Sequence, residues 1–360
     1  MIASDLKNVY PPFDAEGFVT EVLREFPKLE LKARVACAAD NLAIFLPADV
    51  EHATEIILAA LPPHDDDTFT GSDFGIYTYA PYSDFIARHG CTHNNLDSSL
   101  QALNELTKHF TAEDALRYFI NTFPQETMEA VMKWSQDSDY HVRRLASEGT
   151  RPLLPWSPRV TLPISSTIPV LDNLYSDTFR FVTRSVANHI NDITRTDPSL
   201  ALATLERWLT SHTQQPREME FLIRNSLRTL IKRGDPRAFE FMGLCAQPVV
   251  EVFDLTVAPL HMPIGEALTF DFKIRAGRPE RIILDYIVQY PRRTKNGYGE
   301  AVFKLKILDL SQGETRTISK TKVLRTTANH ALAPGPAQLH IQINGTRVAN
   351  AGFELLPAEA

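Results

Sequence analysis

From Ala15 to Gln247 apolar residues return every three or four positions almost without interruption, the spacing of helices that bury one face. After Pro248 they alternate with polar residues, the spacing of half-buried strands. The change of period predicts an all-helical domain over 1–247 and an all-β domain over 248–360. Helices are expected near 15–26, 29–46, 49–61, 79–89, 96–109, 112–122, 125–136, 140–149, 166–175, 179–194, 198–211, 217–233 and 236–245. Asp139, Asp197 and Asp235 stand at N-cap positions, and Pro198 and Pro236 follow two of them where a helix tolerates proline best. The segment 62–78, with Asp65-Asp66-Asp67 and two glycines, reads as a loop with a solvated acidic tip.

The helices carry a repeat. Val142-Arg143-Arg144, Val182-Thr183-Arg184 and Leu222-Ile223-Arg224 return at a spacing of forty residues, an apolar residue followed two places on by an arginine. A period of that length marks stacked helix pairs of the HEAT type. Residues four apart share a helical face, so Arg144 joins Glu148, Arg184 joins Asn188 and Asp192, and Arg224 joins Arg228 and Lys232. Three neighbouring helices are thus expected to present one polar stripe. In the second domain, strands are expected at 249–257, 268–274, 282–290, 301–310, 315–324 and 338–344, separated by turn sequences rich in glycine and proline. About seven short strands in some 110 residues predict an immunoglobulin-like sandwich without a disulfide. The fold class is mainly α: a helical-repeat solenoid followed by a small β-sandwich.

Charge changes the picture only when it is divided. The chain carries a net charge of −7, yet residues 247–360 are net +3 and residues 1–246 are net −10. A bulk basic signature for nucleic acid is missing, so any polyanion would have to meet a local basic face. Cys37, Cys91 and Cys245 stand far apart with no metal-ligand or disulfide spacing, which suits a reducing compartment. Neither a signal peptide nor an eighteen-residue apolar run is legible, so a cytoplasmic monomer is expected, with no membrane partner and no metal.

Glu113 at a helix start, Glu148, Asp192 and Trp156 place carboxylates and one aromatic beside the arginines. Two readings stand side by side. In a helical repeat each arginine commonly bonds an acid of the next repeat, a structural ladder; Trp156, within Leu153-Leu154-Pro155-Trp156, would by default be core, and Asp192 a surface acid. Against this, a carboxylate in the last turn of a helix opposes the helix dipole, which favours a functional role for Asp192.

Three stretches resemble one family: Phe110-Thr111-Ala112-Glu113-Asp114-Ala115-Leu116-Arg117-Tyr118-Phe119-Ile120, His141 to Pro152 with Leu154-Pro155-Trp156, and Arg184 to Ile193. They are similar to the AlkC branch of the HEAT-like alkylpurine DNA glycosylases. The likeness runs from about Leu29 onward and extends to the appended β domain. It implies hydrolysis of the N-glycosidic bond of cationic N-alkylated bases in double-stranded DNA, chiefly 3-methyladenine, with no cofactor. It also implies a lesion read from the backbone side, without a pocket that encloses a flipped base. The physical logic fits, because a positively charged base is already a good leaving group. What remains is to stabilise oxocarbenium character on the sugar and to place a water, tasks for sheltered carboxylates.

On this resemblance Glu113, Asp192 and Glu148 are the expected catalytic acids and Trp156 the aromatic that packs on the damaged nucleotide. Arg144, Arg151, Arg184, Arg224 and Arg228 are expected to hold phosphates, joined by Arg292, Arg293 and Lys295 from a β-domain turn. The chain departs from the family where Asp114-Ala115-Leu116-Arg117-Tyr118 replaces Phe-Ala-Ile-Arg-Pro, and at Leu153 and Thr183, where arginines are common. The competing readings are a non-catalytic HEAT scaffold and a protein that binds alkylated DNA without cleaving it.

Overall fold

The computed structural model describes residues 1–63, 73–245, 247–292, 297–327 and 331–358. The acidic tip at Asp65-Asp66-Asp67, Arg293 and Lys295 lie outside the described residues. The chain forms two compact units, Met1–Ser226 and Leu227–Ala360.

Among the described residues the first unit is helical apart from one isolated bridge, Gly75 to Phe110. Its helices are α1 (Ile2–Val9), α2 (Ala15–Glu25), α3 (Leu31–Phe45), α4 (Val50–Ala59), α5 (Ala80–Phe85), α6 (Leu96–Leu106), α7 (Glu113–Thr122), α8 (Pro124–Trp134), α9 (Tyr140–Gly149), α10 (Ile168–Leu174), α11 (Arg180–Ile193), α12 (Pro198–Ser211) and α13 (Pro216–Ser226). The N-caps fall where the aspartates predicted them. Asp139 accepts from the His141 amide and Asp197 from the Leu200 amide, each satisfying a donor the helix start would leave unpaired. Helix α1 lies outside the expected elements; Leu6 is its one buried residue. The expected helix at 79–89 ends early, α5 passing into a single π-turn over Ile86–Gly90. Helices α9, α11 and α13 pack side by side in the order of the forty-residue repeat.

The expected continuous helix over 217–233 is two. It stops at Ser226, Leu227 adopts φ −90° and ψ 1°, and α14 (Arg228–Arg233) begins anew in the second unit, followed by α15 (Pro236–Phe241). Asn225 Nδ2 donates to the Phe221 carbonyl, a side-chain bond that competes with continuation of the helical ladder. Arg224 and Arg228 therefore do not share a helix.

The rest of the second unit is β: β1 (Val250–Ala258), β2 (His261–Pro263), β3 (Ala267–Ala276), β4 (Glu280–Pro291), β5 (Tyr298–Leu310), β6 (Thr315–Val323), β7 (Gly335–Ile343) and β8 (Thr346–Leu356). One sheet has the order β1-β3-β6 and the other β2-β8-β7-β4-β5, antiparallel except where β2 runs parallel to β8. Inward residues of both sheets, Phe270, Phe272, Ile274, Leu284, Tyr286, Leu339 and Ile341 among them, form one core. The mainly α fold class with an all-β C-terminal sandwich is thus borne out. Strand β8 escaped the sequence reading because its first half, Thr346 to Ala351, offers little apolar alternation.

Asn344 and Gly345 turn β7 into β8, and the turn lies against the end of α14. A Cβ on Gly345, which has φ +80°, would meet the Cα of Gly234 at 2.0 Å, while a Cβ on Gly313, φ +75°, would meet nothing. Both positions carry the backbone penalty for a side chain, but only Gly345 adds a backbone clash. Gly313→Ala should cost about 1 kcal/mol and Gly345→Ala at least about 2 kcal/mol more, read from urea unfolding of the full chain. Equal costs would show that the α14 contact yields without resistance.

Candidate active site

Helices α7, α9 and α11 each contribute to one buried line of alternating charge. Glu113 opens α7, and its Oε2 accepts from Arg144 Nη1 of α9 at 3.0 Å and from the Thr111 hydroxyl. Arg144 Nη2 lies 3.7 Å from Glu148 Oε1 one turn on. That same Oε1 takes Arg151 Nη1 at 2.5 Å, and Oε2 takes the Ser185 hydroxyl of α11 at 2.6 Å. Arg151 Nε then donates to Asp192 Oδ2 at 2.9 Å. Glu113, Arg144, Glu148, Arg151 and Asp192 thus form a continuous chain, three carboxylates against two guanidiniums, with a net charge of −1.

The neighbours keep this line dry. The Arg144 guanidinium stacks on the rings of Phe74, at 5.4 Å, and Phe181, at 4.9 Å. Phe74 is placed by Gly75, whose φ of +85° and lack of a side chain admit the His109 carbonyl, 2.1 Å from where a Cβ would stand. His189 of α11 is fully buried between the Ser147 carbonyl and the Thr167 hydroxyl, and burial pushes its pKa down to about 3. A histidine held neutral in this way is a structural pin and supplies no proton at neutral pH.

The two glutamates respond to burial in opposite ways. Burial raises the pKa of Glu113, and Arg144 alone does not offset it. Burial also pushes Glu148 upward, but Arg144, Arg151 and the Ser185 hydroxyl outweigh it and hold its carboxyl below the usual value. Burial pulls Arg151 down, and Glu148 with Asp192 more than restore it. Glu148, gripped from three sides, is the keystone; Glu113, at the open end with one guanidinium, is the strained member.

Trp156 is not core. Its side chain is 84% exposed, because it sits at the tip of a loop between α9 and α10 and not on a helix. Leu154-Pro155-Trp156-Ser157 has the closing bond of a tight turn, Ser157 N to Leu154 O at 3.4 Å, and Trp156 takes φ +70°. That conformation belongs to the third residue of a type II turn, where glycine is usual. A tryptophan held there is strained by about 1–3 kcal/mol, and the surroundings must impose it.

They do so through Arg117 and Asp114, of the motif that departs from the family pattern, and through Asn121 and Lys32, to which the sequence alone assigns no role. Arg117 of α7 is fully buried and donates to the carbonyls of Gly149 at 3.1 Å, Arg151 at 2.8 Å and Pro158. Asn121 bonds the Arg159 carbonyl at 2.9 Å and the Thr161 amide at 3.1 Å. Asp114 accepts from the Ser157 hydroxyl and from Lys32, which in turn bonds the Trp156 carbonyl. One signal for Arg117 was available: it lies on the apolar stripe of α7 beside Leu116 and Ile120, where an unpaired charge needs a reason.

The arginines divide. Arg144 and Arg151 are buried inside the line of charge, while Arg184 on α11 and Arg224 on α13 are exposed. Thr183, beside Arg184, donates to Glu218 at 2.5 Å. In the second unit Arg228 is half-buried, and Arg292 folds back on Tyr290, its Nη2 3.0 Å from the hydroxyl.

These elements describe a helical-repeat protein with a sheltered, net-negative line of charge and one aromatic displayed beside it, followed by an immunoglobulin-like sandwich. Comparison with known proteins agrees along the whole chain. Residues 251–357 match the family described as the C-terminal Ig-like domain of the uncharacterised protein YhaZ. The uncharacterized protein YhaZ of Bacillus subtilis is 29% identical over 344 residues, 94% of this chain and 92% of its own. The alkylpurine DNA glycosylase AlkC of Pseudomonas fluorescens, solved bound to DNA containing an abasic site analog, aligns with a TM-score of 0.88 at 32% identity, over 99% of this chain and 96% of that one. The chain belongs to the AlkC family of alkylpurine DNA glycosylases.

The opposite pKa directions give stability two pH dependences of opposite sign. The folded pKa of Glu113 lies above its unfolded value, so its contribution is present below 4.5 and is lost as pH rises through the folded pKa. The folded pKa of Glu148 lies below its unfolded value, so its contribution is present above 4.5 and is lost as pH falls through the folded pKa. At pH 7, Glu148→Gln should cost about 3–5 kcal/mol, because two buried arginines lose their shared carboxylate. Glu113→Gln should cost less than about 1 kcal/mol, the lost pair being offset by relief of a buried charge. Urea unfolding at pH 4.5 and 7 checks the order, and a larger loss for Glu113→Gln would reverse the assignment of keystone and strained member.

Proposed function

We propose that this protein is a DNA glycosylase that hydrolyses the N-glycosidic bond of cationic N-alkylated bases, chiefly 3-methyladenine, without enclosing a flipped base. The observation that carries the reading is the unbalanced line of charge: two buried carboxylates and a partly buried third against two guanidiniums, beside a solvent-facing tryptophan held in a strained turn. A methylated base leaves as a neutral molecule, so no strong general acid is required, and neutral His189 offers none. The developing positive charge on the sugar is met by the net negative charge of the line, pre-organised and partly dry, where a fixed charge acts more strongly than in water. Asp192 and Glu113 stand at the two ends of the line, Asp192 bonded to Arg151 and Glu113 to Arg144, each a carboxylate able to orient a water.

The other expected roles sort by burial. Arg144 and Arg151 spend their polar groups on Glu148 and the terminal acids, and Glu148 on the two arginines and Ser185, so their part is to set the position and charge of the terminal acids. Phosphate contact falls to the exposed Arg184 and Arg224, with Arg228, Arg292, Arg293 and Lys295 offered from the β unit. Displayed Trp156 suits a protein that meets its lesion at a surface, because an exposed ring can cover a nucleotide face without closing round a base. The two domains are proposed to part near Gln247, and the protein to act as a cytoplasmic monomer.

Asp192→Asn and Glu113→Gln should each lower single-turnover base release by ten-fold or more, the size of effect usual for one positioned charge. Duplexes carrying a single 3-methyladenine analogue, 7-methylguanine or 3-methylcytosine would rank the substrates. Wild-type release from both variants would remove the catalytic assignment. Tight binding with no abasic product from the unaltered protein would leave the damage-marking reading, and neither binding nor release the scaffold.

Arg184→Ala should weaken binding by a similar factor across sequences and flatten the dependence of log Kd on log salt by about one contact. An unchanged slope measured by fluorescence anisotropy would remove Arg184 from the DNA surface.

A further inference from the structure

The loop that carries Trp156 is held by a set of bonds that the line of charge does not need. Arg117 is wholly buried, yet among the described residues no carboxylate pairs with it; three of its bonds go to backbone carbonyls, of Gly149, Arg151 and Pro158, which bracket the Trp156 turn on both sides. Its Nη2 has no partner among the described residues, and burial pulls its pKa down to about 10, which leaves it charged at neutral pH. Burying a cation is costly even where Asp114, Asp192 and Glu148 lend their field from beyond contact, so a fold that only needed a filled helix face would be served better by an apolar side chain. A second tie reaches the turn itself: Asp114 accepts from the Ser157 hydroxyl and pairs with Lys32, and Lys32 holds the Trp156 carbonyl. Both ties grow from the first turn and a half of α7, the helix that Glu113 opens.

We propose that Arg117, Asp114 and Lys32 are positioning residues for excision, a clamp that forces Trp156 into its left-handed conformation and so sets the indole at a fixed place relative to Glu113. This rests on the reading of Trp156 as the lesion contact. The buried arm through Arg117 dominates, because Lys32 and Asp114 are half-exposed and solvent screens their pair. A clamped ring holds the bound nucleotide in the reactive geometry, so less conformational freedom is lost between the bound state and the transition state and the rate at saturating enzyme is higher.

The chain has three tryptophans, and Trp134 and Trp208 are buried, so the exposed one can be watched alone. Full-length protein carrying 5-fluorotryptophan should give three fluorine resonances, with that of Trp156 identified by its absence in Trp156→Phe. Asp114→Ala and Lys32→Met should narrow the Trp156 line and move it toward free tryptophan, while the other two lines stay in place and report an intact fold. Arg117→Lys should do so more strongly. Single-turnover release from methylated duplex should fall two- to five-fold in the surface variants and at least ten-fold in Arg117→Lys, with Kd for abasic-site DNA changed less than three-fold.

A double-mutant cycle closes the test. If the clamp acts through Trp156, adding Arg117→Lys to Trp156→Phe slows release no further. An unmoved Trp156 line in all three variants, or an undiminished effect of Arg117→Lys in the Trp156→Phe background, overturns the clamp. Wild-type release by Trp156→Phe alone would instead sink Trp156 as the lesion contact, and the clamp's role in excision with it, even where the fluorine spectra show the ring released.

Discussion

A carboxylate taken out of water must find positive charge or give up its own, and the helical unit is arranged around three that do the former. Glu113, Glu148 and Asp192 come from three successive repeats, and two arginines from a single helix and the residues after it link them into one line. Each ion would cost several kcal/mol if left alone in the interior. The alternation is therefore what fixes the lateral register of α7, α9 and α11: sliding one helix by a turn would leave a charge without its partner. Ser185 and Ser147, hydrogen-bonded across the same helices at 2.9 Å, fasten the register with uncharged groups.

Within the line the acids outnumber the bases by one, and buried Arg117 is a further cation whose field reaches Glu148 and Asp192. Here one negative charge remains within the line, and Glu113, at one end, is the acid whose burial its partner does not offset. Burial that raises the Glu113 pKa is the same physical fact that makes its charge potent toward a developing cation, since a group poorly solvated by its surroundings interacts strongly with whatever arrives. The fold thus carries at Glu113 a local instability that Glu148 and its three partners offset elsewhere in the line.

Strain is stored a second time at Trp156, in the backbone. The α9–α10 loop has prolines at 152, 155, 158 and 163, which limit the conformations it samples before any contact is made. Arg117 and Asn121 then fasten the loop's carbonyls to α7, so that the display of one large aromatic is rigid although it lies in a connecting segment. The departure of Asp114 from the family pattern falls within this arrangement. It costs the helix an apolar residue but adds the tie to Ser157 and Lys32.

By itself the sequence determined what depends on neighbours along the chain. The switch from period 3.6 to period 2 announced two kinds of structure, aspartate before a helix meant an N-cap, and the forty-residue echo of Arg144, Arg184 and Arg224 meant repeats. The residues of the site were legible too, as carboxylates and an aromatic in stretches that resemble one family. Tertiary structure decided which of them are partners. Periodicity places Arg144 and Arg184 at equivalent positions, yet one is stacked between Phe74 and Phe181 and paired with two acids while the other faces solvent, the neighbouring acid Glu218 being taken by Arg180 and Thr183. The same holds for Trp156, apolar by composition and exposed in fact: whether a side chain is buried depends on what other segments come to cover it, and Lys32, Asp114 and Arg117, remote in sequence, come to the loop's backbone and leave the ring free.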